Sequence, residues 1–292
     1  MVLTLVEDHG SAMRISSDGT EIARYVYGPT DARLESPRPY FHPLRTLGGS
    51  LVSLYRPHDH VWHKGIAWSL PNVISPAGPA NFWGGPTYVR DRGYVQLPNN
   101  GATRHVDFSV VHPGPERVRL VESLSWDTEQ GETWFAEERM ISVELVAGGW
   151  ALGFGTSFTN VSEAEVVIGS PTTEGRPNAG YGGLFWRGPR SFTGGGVHVP
   201  GRTGGDELMG VRAPWLAFRG RHDERGGEST LVFVAPDEPK WFVRSEPFAA
   251  VCPAPFFDRE VTVAADQTLS YGYTVVVADG APDPAALVAL VV

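Results

Sequence analysis

The fold is decided by residues 103–160, which read TRHVDFSVVHPGPERVRLVESLSWDTEQGETWFAEERMISVELVAGGWALGFGTSFTN. Apolar and polar side chains alternate through most of this stretch, and that alternation is the period of a β-strand with one buried face. The pattern predicts strands at residues 105–111, 118–126, 133–145 and 150–160. Successive strands of this kind are typical of an antiparallel sheet.

Short strands are also predicted in the rest of the chain, together with one long loop and one helix. The other predicted elements are a hairpin of residues 11–16 and 20–27, short strands at 51–55 and 66–70, further strands between 215 and 277, a loop at 71–101 and a helix at 282–292. We therefore predict an all-β fold with little helix. Its architecture would be a single large two-sheet antiparallel sandwich, with residues 1–292 as one domain.

Composition limits the class of protein. The chain has 35 Gly and 24 Pro residues, so turns are frequent and long helices few. The formal net charge of −9, without a basic block, argues against a nucleic-acid partner. A single cysteine, Cys252, excludes a disulfide framework within the chain. The N-terminus lacks the basic start of a signal peptide and no apolar run is long enough to span a membrane, so we expect a soluble, cytoplasmic protein.

Candidate chemistry is concentrated in residues 56–65, RPHDHVWHKG. His58, His60 and His63 fall close together, and Lys64 follows them directly. On an extended backbone His58 and His60 would share a face, and a turn after His60 would bring His63 back towards them. Clustered imidazoles suit a divalent metal such as Zn, Mn or Fe, a proton relay or the binding of an oxyanion. A solvated histidine-rich loop is the alternative.

A carboxylate interrupts one of the predicted apolar faces. Glu122 shares its face with Val118, Leu120 and Leu124. Burial without a cationic partner would raise the pKa of Glu122 and make it a general acid or base. The alternative is a structural ion pair with Arg139.

Aromatic residues beside glycines mark two further stretches, NFWGG at residues 81–85 and GYGGLFWR at residues 180–187. Glycines let a backbone approach a ligand closely, and Tyr181, Trp186 and Arg187 are residue types that bind sugars or carboxylates well. The alternative for both stretches is an aromatic plug beneath a turn.

Four motifs together resemble a bacterial family. They are RPYFHPLR (residues 38–45), DHVWHKG (59–65), NFW (81–83) and GYGGLFWR (180–187), in the order found in the PmoA-like family, which carries the label "methane oxygenase PmoA". That label names a membrane protein, so we take no function from it. The family is similar in architecture to the galactose mutarotase-like supersandwich of many sugar-acting enzymes. The motif residues that the resemblance carries over are His42, His60, His63, Lys64, Asn81, Trp83, Tyr181 and Arg187.

Two functions are consistent with these residues. The first is an enzyme that acts on a sugar or sugar derivative as an epimerase, hydrolase or lyase, with or without a divalent metal. Its predicted catalytic residues are His60, His63, Glu122 and Lys64, its predicted substrate-binding residues are His42, Asn81, Trp83, Tyr181, Trp186 and Arg187, and its predicted metal ligands are His58, His60 and His63. The second is a carbohydrate-binding protein without turnover. In both, the partner is a small-molecule carbohydrate.

Overall fold

Nearly all regular structure is β in the computed structural model, which describes residues 1–224 and 226–292. The strands, in chain order, are β1 (Leu3–Asp8), β2 (Ala12–Ser17), β3 (Thr20–Val26), β4 (Tyr40–Leu44), β5 (Ile66–Ser69), β6 (Asn72–Ser75), β7 (Gly78–Ala80), β8 (Thr87–Val89), β9 (Gly93–Val95), β10 (Ala102–Pro113), β11 (Arg117–Asp127), β12 (Thr133–Val146), β13 (Gly149–Asn160), β14 (Val166–Gly169), β15 (Gly183–Arg187), β16 (Gly196–Val199), β17 (Arg202–Gly204), β18 (Trp215–Arg221), β19 (Glu228–Val234), β20 (Lys240–Arg244), β21 (Ala250–Ala254), β22 (Val261–Val263) and β23 (Thr268–Asp279).

Helical structure is confined to short segments. They are the 3₁₀ turns Arg33–Glu35, Arg190–Phe192 and Asp206–Leu208 and the α-helix α1 (Pro284–Val288). Across the described part of the chain, none of these helices has the length and apolar character needed to cross a membrane.

Two large antiparallel sheets contain most of the strands. Sheet I has the order β1-β2-β3-β4-β5-β15-β21-β20, and sheet II has the order β10-β11-β12-β13-β23-β19-β18-β16-β17. Two smaller sheets, β22-β14-β6-β7 and β8-β9, lie in the connections. The predicted all-β, two-sheet antiparallel sandwich with little helix is therefore confirmed.

The main core lies between the inner faces of sheets I and II. Trp186 of β15 packs against Phe218 of β18 with ring centroids 5.3 Å apart, and Trp68 of β5 packs against Phe154 of β13 at 6.4 Å. Both tryptophans are fully buried. Burial of apolar surface stabilises a fold by about 25 cal/mol per Å², so rings of this size supply much of the free energy that holds the two sheets together.

The long alternating stretch forms the strands that its pattern predicts. β10 to β13 pair in sequence order at one edge of sheet II. The predicted hairpin is present as β2 and β3. Its two-residue turn is Asp18-Gly19, and both residues have positive φ, 45° and 84°. Such turns match the twist of antiparallel strands, which explains why this short signal is reliable.

Three local predictions need correction. Residues 51–55 are not a strand, because within them only Leu51 and Tyr55 pair, in isolated bridges to Arg45 and Lys64. Residues 71–101, predicted as a loop, contain β6 to β9, whose three or four residues are too few to show a period. The predicted helix at 282–292 is limited to α1, which Asp283 caps by accepting the Ala285 N–H at 3.2 Å.

Candidate functional site

Alternation along the strands of sheet I creates a second apolar cluster on its outer face. In β15, Trp186 points into the core between the sheets, whereas Phe185 belongs to the outer cluster. β20 repeats the arrangement, with Trp241 inward and Phe242 outward. Trp83, from the loop after β7, packs on Phe185 with ring centroids 4.7 Å apart.

A cavity of about 550 Å³ opens within this outer cluster. Its aromatic lining consists of Trp62, Trp83, Tyr94, Tyr181, Phe185, Phe242 and Phe248. Its basic lining consists of His60, His63, Arg176 and Arg244, and none of the lining residues in the described chain is a carboxylate. A volume of this size, with many rings and a few polar groups, is typical of a small-molecule site.

The turn predicted after His60 is present. The His60 N–H donates to the Pro57 carbonyl at 3.0 Å, and the His63 N–H donates to the His60 carbonyl at 2.9 Å. These two tight turns stack the rings of His60 and His63, with centroids 4.7 Å apart and planes inclined by 16°. Phe248 packs edge-on against both rings.

Asp59 orients His60. Asp59 Oδ2 lies 3.1 Å from His60 Nδ1, and Asp59 Oδ1 accepts from Arg190 Nη2 at 2.6 Å. Burial alone would raise the pKa of Asp59, but the hydrogen bonds from His60 and Arg190 outweigh it and lower that pKa to about 2. An ionised carboxylate only accepts hydrogen bonds, so we assign the proton of neutral His60 to Nδ1, which leaves a lone pair on Nε2.

His63 takes the opposite tautomer. Arg187 Nη1 lies 3.1 Å from His63 Nδ1, and a guanidinium only donates. We therefore assign the proton of neutral His63 to Nε2. His63 is 4% exposed, and its ring packs against Phe185 with centroids 4.8 Å apart.

Both histidines are held in the neutral form. Burial lowers the pKa of His63 well below its usual range, and the neighbouring His60 and Arg187 lower it further. Burial also lowers the pKa of His60, although Asp59 opposes the shift. At neutral pH the stacked pair therefore offers one proton acceptor, His60 Nε2, and one hydrogen-bond donor, His63 Nε2–H.

Tyrosine hydroxyls and arginines add further polar groups to the cavity. The hydroxyls of Tyr94 and Tyr181 lie 2.7 Å apart, and Arg176 donates to the Tyr94 hydroxyl. Burial raises the pKa of both tyrosines, so both hydroxyls stay protonated; one donates to the other, and the second keeps its proton for a ligand. Arg244 ends β20 on the same face as Phe242.

A family model described as a family of unknown function (DUF6807) matches residues 12–291. The chain belongs to the DUF6807 family. No curated protein matches its sequence. The resemblance to PmoA-like proteins stays a prediction, since the matching model does not carry that label.

Solved structures similar to this DUF6807 chain include two α-galactosidases of the GH36 type from Geobacillus stearothermophilus, AgaA and AgaB, each at 11% identity. They cover 95% and 96% of this chain and 41% of their own chains, with TM-scores of 0.43 and 0.46. A galactose 1-epimerase from Lactobacillus acidophilus NCFM is 7% identical and covers 96% of this chain and 99% of its own, with a TM-score of 0.43. The chain thus spans about two fifths of the α-galactosidases. These similarities concern the overall fold, and we draw nothing from them about chemistry.

Lys64 of the DUF6807 chain lies outside the cavity, contrary to its predicted catalytic role. Its ammonium group is fully buried, lies 2.9 Å from Asp31 Oδ1 and donates to Glu35. Arg56 joins the network with Nη2 at 2.7 Å from Glu35 Oε1. The lysine therefore ties residues 56–65 to residues 31–35 and so fixes the loop that carries the histidines.

Glu122 faces the core and not the cavity, which corrects its predicted catalytic role. Tyr25, across the sandwich, donates its hydroxyl to Glu122, and His105 Nδ1 lies 2.7 Å from Glu122 Oε1. Burial raises the pKa of Glu122, and Arg139 opposes the shift. Arg139 forms its own bidentate pair with Glu137, at 2.8 and 2.9 Å. Glu122 thus belongs to a polar network that links the sheets.

Two other predicted substrate-binding residues, His42 and Trp186, do not line the cavity and are held by contacts within the protein. His42 Nδ1 lies 2.8 Å from Ser53 Oγ, and burial lowers the pKa of His42 to about 4. Trp186 is in the core, where its Nε1–H donates to the Val52 carbonyl at 2.8 Å. The period of the strand explains the second error, because a shift of one residue from Phe185 reverses the face.

The remaining predicted residues lie at the cavity or directly behind it. Trp83 and Tyr181 line it. Asn81 is buried, and its Oδ1 accepts the N–H groups of Trp83 and Gly84 at 2.8 and 2.9 Å, so it shapes the loop that presents Trp83. Arg187 is buried and contacts His63 from behind.

The three histidines predicted as metal ligands do not converge. His58 Nδ1 lies 3.2 Å from Arg190 Nη2, while His60 Nδ1 and His63 Nδ1 face Asp59 and Arg187. Among the residues that the structure describes, no group of three His, Cys, Asp or Glu side chains could hold a metal ion. The arrangement does not support a Zn, Mn or Fe site here.

Sequence reasoning missed several lining residues. Phe185, Phe242 and Arg244 each occupy the outward position of a short strand with an inward tryptophan, so the period of two could have identified them. Tyr94 and Phe248 come from segments far apart in the chain, and nothing local in the sequence marks them.

Proposed function

We propose that this chain is an enzyme that acts on a sugar or sugar derivative by acid–base chemistry, with His60 and His63 as the reacting pair. The observation that carries the proposal is the stacked pair of His60 and His63 on an aromatic cavity, with a carboxylate at one Nδ1 and a guanidinium at the other. The cavity volume of about 550 Å³ fits a monosaccharide or a small derivative of one.

Sugar binding would use the two kinds of lining residue. Aromatic rings such as Trp83 and Phe185 can stack on the apolar C–H face of a pyranose. The hydroxyl pair of Tyr94 and Tyr181 can hydrogen-bond to the ring substituents. Trp83 and Tyr181 pack on each other with centroids 4.6 Å apart, so this wall is in place before a ligand arrives.

The histidine pair would move the proton. His60 Nε2 takes a proton from a C–H or O–H group of the sugar, and the ionised Asp59 stabilises the imidazolium that forms. His63 Nε2–H donates a hydrogen bond to the sugar oxygen that gains negative charge. Positioned proton transfer of this kind typically contributes about 10²–10⁴-fold in rate.

The lining favours proton abstraction over glycoside hydrolysis. Glycosidases usually need two carboxyl groups on either side of the scissile bond. Of the residues that line the cavity in the described chain, none is Asp or Glu. Epimerisation or elimination, which require a positioned base and an oxyanion donor, therefore fit this site better than hydrolysis.

A non-catalytic carbohydrate-binding protein is the second candidate. Seven aromatic residues line the cavity, and that number of rings is sufficient for binding without chemistry. In that case the histidines would only hydrogen-bond to the ligand.

A panel of monosaccharides and their derivatives separates the two candidates. Binding is followed by ligand-observed NMR, and turnover by product formation and by exchange of sugar protons in D₂O. For an enzyme, His60→Asn should lower turnover by about 10²–10⁴-fold and leave affinity within a few-fold, whereas the exposed His112→Asn serves as the matched control. For a binding protein, no turnover occurs and Phe185→Ala causes the largest loss of affinity. Absence of binding by the whole panel would contradict both candidates.

A further inference from the structure

Two guanidinium groups line the cavity although the chain is acidic overall. The formal net charge of the protein is −9. Arg176 and Arg244 nevertheless line one cavity, together with two histidines and, within the described residues, without an acidic side chain. Neutral sugars do not require this concentration of guanidinium groups.

Arg244 is only weakly engaged by the protein. Its Nη2 lies 3.4 Å from the Asn178 carbonyl, and its Nη1 lies 3.6 Å from Asp206 Oδ2, both long contacts. The side chain extends from the end of β20 past the Phe242 ring, with Cζ 5.7 Å from the ring centroid. Most of its donor capacity therefore remains for a ligand.

Arg176 has a neutral partner and not a carboxylate. It donates to the Tyr94 hydroxyl, and its Cζ lies 4.8 Å from the centroid of the Tyr94 ring. No carboxylate of the described chain forms a salt bridge with it. Tyr94 thus holds the guanidinium in place at the cavity while its charge stays uncompensated.

A third guanidinium lies behind the histidines. Arg187 is fully buried, and within the described chain its Nε and Nη2 have no hydrogen-bond partner. Its nearest carboxylate oxygen, Asp59 Oδ2, lies 3.7 Å from Nη2, beyond hydrogen-bond range. A buried cation with free donors is costly, and an anion in the adjacent cavity would reduce that cost.

We propose that the ligand is an anionic sugar derivative, a sugar acid or a sugar phosphate, whose anionic group is held by Arg176 and Arg244. This inference rests on the proposed function and specifies its substrate class. Arginine binds carboxylates and phosphates through two parallel hydrogen bonds, which gives direction as well as charge. The anionic group would lie at the arginine side of the cavity, and the sugar ring would stack between the aromatic residues and the histidine pair.

Calorimetric titration of the whole chain with matched probes tests the proposal. The probes are glucose, galactose and mannose, their uronic acids and their 6-phosphates, at low and at physiological salt. We expect at least one acid or phosphate to bind about tenfold or more tightly than its neutral parent, and to weaken with salt. The uronate and phosphate arms then identify which anion is preferred.

Variants separate this proposal from the proposed function. Arg244→Gln and Arg176→Gln should each weaken the anionic probe about tenfold and leave the neutral parent unchanged, since only the charge contact is lost. Arg119→Gln, an exposed arginine on β11, is the matched control and should change neither. Equal affinity for charged and neutral probes, unchanged in both variants, would overturn the anionic substrate while sugar binding stood. If no probe of either kind binds, both proposals are contradicted.

Discussion

From the position of Glu122 we predict that this carboxylate stabilises the fold and takes no part in catalysis. The group is fully buried and is contacted by the Tyr25 hydroxyl from sheet I and by His105 from β10. Glu122→Ala would remove both contacts and leave the Tyr25 hydroxyl and the His105 Nδ1 without this partner. Leaving a buried polar group unpaired costs about 1–3 kcal/mol. We therefore expect Glu122→Ala to lower the free energy of unfolding by about 3–5 kcal/mol, which includes the cavity left behind.

Glu122→Gln gives the sharper result because it keeps the shape and removes only the charge. Burial raises the pKa of Glu122 in the folded protein above its unfolded value of about 4.3. Stability contributed by this group is thus fully present below that unfolded value and is lost as pH rises through the folded pKa. The Gln variant lacks this loss. We expect the loss of unfolding free energy in Glu122→Gln relative to the parent protein, about 1–2 kcal/mol at acid pH, to shrink as pH rises.

Urea denaturation across pH measures this difference, with Glu138→Gln on the exposed face of β12 as the matched control. Ligand affinity and turnover of Glu122→Gln should stay within about twofold of the parent protein, because Glu122 does not line the cavity. A Glu122→Gln variant that folds with unchanged stability but loses turnover would refute this reasoning and restore Glu122 as an acid–base residue.

Three further predictions concern the cavity. Asp59→Asn should lower turnover by at least about tenfold while affinity changes little, since His60 would lose its ionised Nδ1 partner. Stopped assays with saturating substrate measure this change. An unchanged turnover number would argue against a catalytic role for the Asp59–His60 pair. Phe185→Ala should weaken ligand binding, whereas Trp186→Phe, one residue away, should lower the free energy of unfolding by about 1–3 kcal/mol and leave binding intact. Calorimetry and denaturation of both variants check this. The reverse pattern would mean that the two faces of the strand are misassigned. The pKa values of His60 and His63 are lowered in the folded protein, so turnover should be full above about pH 6.5, the usual pKa of an unfolded histidine, and should fall only at more acid pH. The stability that these histidines contribute is likewise lost as pH falls below about 6.5. A pH–rate profile in which turnover already falls with acidification at a pH above 7 would contradict neutral histidines.

The period of the strands made the fold predictable from the sequence. Residues 103–160 alternate over four long strands, and a pattern of that length excludes a helix. The turn at Asp18-Gly19 was also predictable, because its residue types match the positive φ angles that the hairpin needs. Short strands such as β7 to β9 could not be predicted, since three residues hold no period and pairing partners decide them.

The candidate site was predictable where a short stretch of sequence marks its residues, as in the histidine cluster and the aromatic–glycine stretches that contain Trp83 and Tyr181. His60 and His63 come together through two tight turns, so their spacing carried the signal. Lys64 follows His63 directly but points into the ion network of Asp31 and Glu35, and adjacency said nothing about direction. Glu122 was correctly expected to face inward, but its partners Tyr25 and His105 depend on which sheet lies opposite, which the sequence does not state.

The histidine tautomers are the most direct test of the central claim. NMR of protein labelled with ¹⁵N at histidine reports which ring nitrogen carries the proton, and His60→Asn and His63→Asn assign the two signals. We predict that at pH 7 both rings are neutral, with the proton of His60 on Nδ1 and that of His63 on Nε2, and that sugar binding shifts both. A doubly protonated ring at pH 7, or the same tautomer in both residues, would contradict the assignment of His60 as base and His63 as donor.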